Sequence, residues 1–168
     1  MKNIVLRVPT AIFIALVFLP LMIFVLEIFA ERELMEPRYY DILDIVGSVV
    51  ISIWLFSIVD YFQSKAPEFK FTGLIYILLA IELILDLLVS FDILTFDGVN
   101  YLIPIAVQSI IYITATVFII LLIHKVFYER AVWFIVLEIL IVIVGITTLT
   151  PEIKRNEQEI LVKGLNEN

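Results

Sequence analysis

The sequence has no cysteine, only five glycines, a single histidine and few charges, which make up 17% of 168 residues. Without cysteine there is no disulfide framework, no thiolate metal site and no thiol nucleophile. A soluble domain carries about 25% charged residues, so a low charge content argues against water as the main solvent. No run of Lys or Arg is present, and 11 basic residues face 18 acidic ones for a net charge of −7. That balance excludes a basic nucleic-acid surface and a polybasic lipid patch. Enzyme signatures are missing as well. There is no paired-histidine zinc spacing, no G-x-S-x-G, no glycine-rich phosphate loop and no aspartate-rich phosphate-metal motif. The expectation is a protein that is not an enzyme and that needs no cofactor and no metal.

What the chain has is apolar length. Hydrophobic residues make up 62% of it, and its mean hydropathy is +1.10. A transmembrane helix needs roughly 20 mostly apolar residues, and five stretches qualify, near residues 9–30, 42–62, 71–95, 101–124 and 131–149. Pro9 opens the first and Pro20 should kink it. Glu31, Glu33, Glu36 and Pro37 end it. Gln63 to Pro67 closes the second, Asp97-Gly98-Val99-Asn100 reads as a turn after the third, and Pro104 sits in the first turn of the fourth. The fifth stops at Thr150-Pro151, leaving 151–168 as a polar C-terminal tail. Barrel strands alternate apolar and polar residues, whereas these runs are apolar on every side. The fold class is therefore all-α, a polytopic transmembrane bundle of about five helices over 1–150, with no repeat and no soluble domain. The first run is too long for a signal-peptide core and lacks a small-x-small cleavage site, so a retained helix is expected.

Five crossings with the N-terminus inside place Lys2, Arg7, Lys65, Lys70, Lys125 and Arg130 in the cytoplasm and Arg32, Arg38, Lys154, Arg155 and Lys163 outside. Six against five barely separates the sides. The first four segments favour an N-terminus in the cytoplasm of a cell membrane, because 90–100 holds no Lys or Arg. The tail is the misfit: either it faces outside against the rule, or the fifth segment does not fully cross. Trp54, Trp133, Tyr39, Tyr40, Tyr61 and Tyr128 stand where an aromatic belt would put them.

Carboxylates inside the apolar runs are the residues to explain. An acid near the bilayer centre costs about 2.5–3.5 kcal/mol on insertion scales and is a functional candidate by default. Glu82 and Asp86 in the third segment share one helix face with Ser90, and Glu138 lies in the fifth. Between Gly73 and Asp92 the third segment holds 13 Leu, Ile, Val or Phe residues. These favour insertion by about 4–8 kcal/mol, and two carboxylates cancel most of that. No cation lies inside the spans except at their ends. A proton, a bound monovalent cation, water or neighbouring polar faces must then balance the acids. Two such faces exist: Asp44, Ser48 and Ser52 on the second segment, where Gly47 permits close approach, and Gln108, Tyr112 and Thr116 on the fourth. The bland reading of these polar residues is interhelical glue. Glu27, Asp44 and Asp60 read as solvated helix ends, and His124 as an interfacial residue. Asp86 and Glu138 would have to meet across two helices to act as an aspartyl intramembrane protease.

A further pattern lies in the second and third segments. Tyr40-Asp41-Ile42-Leu43-Asp44-Ile45-Val46 leads to Phe56-Ser57-Ile58-Val59-Asp60-Tyr61, an outer acid, an aromatic and an inner acid. Glu82-Leu83-Ile84-Leu85-Asp86-Leu87-Leu88 follows. Read in order, the first four segments resemble the voltage-sensor-like domain of six-helix cation (potassium) channels. The resemblance implies counter-charge positions at Asp44, Asp60 and Asp86 and a plug aromatic at Phe56. Ala131-Val132-Trp133-Phe134 and Ile146 to Glu152 are similar to the pore-helix and filter region of potassium channels. The arginines at every third position of the fourth helix and the filter glycines are missing here. The implied protein is a channel-derived bundle that neither senses voltage nor filters potassium by itself.

Two functional classes follow. In the first, the chain moves a proton, cation or small solute using Glu82, Asp86 and Glu138, supported by Asp44, Ser48, Ser52, Asp60, Gln108 and Thr116. In the second, it is a non-transporting accessory, assembly or scaffold protein whose partner is a second copy or another membrane protein.

Overall fold

The computed structural model describes residues 8–30, 37–91 and 102–166, and among them the chain is helical with no strand. Six helices follow in order: α1 (Thr10–Ala30), α2 (Pro37–Lys65), α3 (Thr72–Ser90), α4 (Leu102–Val126), α5 (Val132–Leu140) and α6 (Val142–Asn166). The chain is a membrane protein by the length and hydropathy of these helices. Within α2, α3 and α4, residues 45–65, 72–89 and 105–126 are each long and apolar enough to cross a bilayer. α5 and α6 together form a fourth apolar unit, and Thr10–Leu19 is a shorter apolar stretch in α1. The expected turn at 97–100 and the end of the third segment at 92–95 lie outside the described residues, as do the side chains of Glu27, Tyr40, Asp44 and Ser90.

Sequence-adjacent helices pack on one another throughout, α2 also packs on α4, and α6 returns to pack on α1. The core is centred on α2. Trp54, Ile58 and Phe62, spaced four apart on one face, are fully buried. Against them lie Ile119, Leu122 and Ile123 of α4, Ile135 and Ile139 of α5, and Ile146, Leu149 and Ile153 of α6, all fully buried. Lipid tails are as apolar as these side chains, so close packing rather than escape from water holds them together. α3 is peripheral: only 17% of its span is buried, against 44% for α2.

The fifth expected segment, 131–149, is not one continuous helix: α5 and α6 meet at Ile141 with a bend of 115°. Ile141 leaves helical geometry at φ −102°, ψ 81°. The space for this bend comes from Gly145, where a Cβ would lie 2.2 Å from the Glu138 carbonyl oxygen and 2.6 Å from Trp54 Cη2. Any side chain there would drive α6 off both α5 and α2. Gly47, by contrast, has nothing within 4 Å of a Cβ and mediates no close approach.

Nor does the chain leave its helix at Thr150-Pro151. α6 runs through Pro151 to Asn166, so the first half of the expected tail continues a packed helix. An interior proline costs about 3 kcal/mol. Here Leu149, Thr150 and Ile153, all at 0% exposure, anchor the helix on both sides of it.

Candidate functional site

Two polar centres lie among the apolar helices. The first joins α3 to α4. Glu82 and Asp86 are one turn apart on α3 and half-buried, and Gln108 of α4 faces both. The Gln108 amide Nε2 donates to Asp86 Oδ1, and it lies 3.4 Å from Glu82 Oε1. An amide nitrogen carries two hydrogens, so one side chain can serve both carboxylates. Glu82 Oε2 is buried and has no hydrogen-bond partner. Among the described residues no Lys, Arg or His forms an ion pair with either acid. Two carboxylates thus share one neutral donor, an arrangement that attracts a proton or a cation. No group of three His, Asp or Glu among the described residues is placed to hold a metal ion.

The second centre sits where α5 and α6 diverge. Glu138 is fully buried, and Arg130, from the turn before α5, places Nη2 2.9 Å from Glu138 Oε1. The same nitrogen lies 2.9 Å from Glu152 Oε2 on α6. Thr148 Oγ1 donates to Glu138 Oε1 and so ties α6 to α5 a second time. Trp54 Nε1 donates to Thr150 Oγ1 at 3.0 Å, both groups buried, which fastens α6 to α2. The Arg130 guanidinium also lies over the rings of Phe134 (5.0 Å) and Phe127 (5.8 Å). Its charge is therefore met by two carboxylates and two aromatic faces. A cavity of about 410 Å³ opens beside it, lined by Val126, Phe127, Tyr128, Glu129, Arg130 and Glu152.

Several sequence expectations meet these facts. Gln108 does join Glu82 and Asp86. Thr116 is buried and hydrogen-bonds with Tyr112 on the same helix. Ser48 and Ser52 are half-buried on α2, and among the described residues no hydrogen bond links them to Glu82 or Asp86. Asp60 is on the exposed side of α2. Glu138 has a cationic partner after all: Arg130 lies eight residues earlier, beyond the helix end, and folds inward. The signal for that pairing was Arg130 itself, the last basic residue before an apolar run containing one acid. Asp86 and Glu138 do not form an aspartyl-protease pair, since one is held by Gln108 and the other by Arg130. Trp54 is not a belt residue but a core residue with 0% exposure. Tyr61 is also buried, whereas Tyr128 and Trp133 are exposed at 74% and 65%. Phe56 stacks on Tyr76 of α3 with ring centroids 5.8 Å apart.

Compared with protein-family models, with curated proteins and with solved structures, the chain matches none.

Proposed function

We propose that this protein carries a proton or a monovalent cation across the membrane, with Glu82 and Asp86 as the binding pair and Gln108 as the residue that orients them. The observation behind this reading is the pair itself: two carboxylates on one face of a membrane-spanning helix, sharing one amide, with one buried oxygen unpartnered. Two adjacent negative charges are expensive in hydrocarbon, and a captured proton or cation removes most of that cost. A proton passed between two carboxylates held by one donor needs little rearrangement, which suits a relay. Charge elsewhere in the sequence supports a cation as cargo. The connections at 31–36 and 92–101 carry five acids (Glu31, Glu33, Glu36, Asp92, Asp97) and one base, Arg32. Acid-rich stretches beside apolar segments concentrate cations. The resemblance of the first four segments to a voltage-sensor-like domain points the same way, toward a channel-derived bundle with Asp86 as a counter-charge position. Glu138, already neutralised by Arg130, stands outside the proposed path.

The test is proton and monovalent-cation flux into proteoliposomes, comparing the wild type with the Glu82→Gln, Asp86→Asn double variant. Flux should be measurable in the wild type and fall to the level of empty vesicles in the variant, which lacks both ionisable groups. The variant should insert normally, because neutral side chains ease the third helix into lipid. Wild-type flux no greater than that of empty vesicles would move the protein to the accessory, assembly or scaffold class.

A further inference from the structure

We infer that α5 and α6 form a re-entrant hairpin, entering the bilayer and leaving it on the side of the N-terminus, and that this side is the cytoplasm. The inference does not rest on the transport reading. Four contacts gather the relevant chain ends. Lys125 Nζ at the end of α4 meets Glu68 Oε1, in the α2–α3 connection, at 2.9 Å. Arg130, just before α5, meets Glu152 of α6 at 2.9 Å. Lys154 of α6 donates from Nζ to the Val8 carbonyl, at the start of α1, at 2.7 Å. Glu157 of α6 meets Lys65 Nζ, at the end of α2, at 2.6 Å. Residues 152–157 therefore lie at the end of the bundle where α1 begins and α2 and α4 finish.

The tip reaches roughly to mid-bilayer. α5 has nine residues, a rise of about 13 Å, which is less than half of a 30 Å hydrocarbon core. Gly145 packs on Trp54, and Trp54 stands eleven residues, about 16 Å, from Lys65 at the end of α2. From there α6 descends beside α2: Thr150 bonds Trp54, and Glu157 bonds Lys65. The two helices run in the same direction, toward the N-terminal side. A fifth crossing would need α6 to run the opposite way.

This arrangement removes the charge ambiguity of five crossings. Lys154, Arg155 and Lys163 join Lys2, Arg7, Lys65, Lys70, Lys125 and Arg130, making nine cations on one side against Arg32 and Arg38 on the other. An excess of that size marks the cytoplasmic side. The polar neck of the hairpin, Arg130 with Glu138 and Glu152, then lies at the cytoplasmic half of the bundle, and its apolar tip is wedged under Trp54.

The cysteine-free chain permits a direct test. Single cysteines are introduced by Asn3→Cys, Asp97→Cys and Asn168→Cys and probed with a membrane-impermeant maleimide on intact cells and on inside-out vesicles. Asn3→Cys and Asn168→Cys should label only in inside-out vesicles, and Asp97→Cys only on intact cells. Labelling of positions 3 and 168 from opposite sides would overturn the hairpin. Labelling of both from outside would overturn the cytoplasmic assignment. Arg155→Cys, at an exposed and weakly paired side chain, repeats the position-168 measurement within α6 and must agree with it.

Discussion

At the scale of single residues, the least replaceable is Gly145. Gly145→Ala places a methyl group on a backbone carbonyl that cannot give way, so destabilisation should reach the upper end of overpacking costs, about 3 kcal/mol or more. Thermal unfolding in detergent measures it, and Gly47→Ala, inside α2 and facing open space, should leave the transition in place or raise it, since alanine favours the helix by about 0.5–1 kcal/mol. Arg130 is the second sensitive residue. Arg130→Met strands the fully buried Glu138 carboxylate and should cost about 3–5 kcal/mol. The double variant Arg130→Met, Glu138→Met removes the buried pair and leaves only Glu152, which is partly exposed to solvent, so it should regain most of that loss, since a buried pair is often no better than apolar packing. The exposed Glu68 sets the opposite limit. The Lys125 ammonium holds its carboxyl below the usual carboxylate range, so the bond helps above the ordinary carboxylate pKa and is lost as pH falls through the lowered value. Solvent and salt screen it, and Glu68→Gln should leave the unfolding temperature unchanged at neutral pH.

Among the elements, α2 carries the core and α6 closes it. Trp54→Phe keeps an aromatic ring but loses the bond to Thr150 and leaves a void where the larger indole packs, which should lower stability by about 2 kcal/mol or more in the same unfolding measurement. Much of the helix plan was legible in the sequence, because four of the apolar runs are long and closed by Pro, Gly or charged residues. The face shared by Glu82 and Asp86 followed from their spacing of four, and the answering Gln108 from its place in the next run. The hairpin was not legible. Leu140 to Val144 is apolar without a break, and nothing local distinguishes a glycine that lets a helix turn back from one that merely sits in it. The partner of Glu138 was hidden for a related reason: Arg130 lies outside the apolar run, and only the fold shows that its long side chain turns inward. Trp54 was misplaced because an aromatic belt and an aromatic core use the same residue.

For the molecule as a whole, the C-terminal residues are structural. A chain ending after Ile160 keeps Glu152, Lys154 and Glu157 and should unfold near the wild-type temperature. One ending after Thr150 loses all three ties to Arg130, Val8 and Lys65 and should be lost to degradation or melt far lower, as read by membrane yield and thermal unfolding. The short first arm of the hairpin also sets the order in which the protein can be made. α5 offers too little apolar length to leave the translocon as an independent span, and α6 is made after the helices it packs among. Those earlier helices therefore come together with a vacancy beside Trp54, Ile58 and Phe62. Lipid occupies that groove until α6 emerges and the hairpin displaces it. Closure of this bundle is then a docking step that follows insertion, and its rate depends on how readily that groove releases lipid.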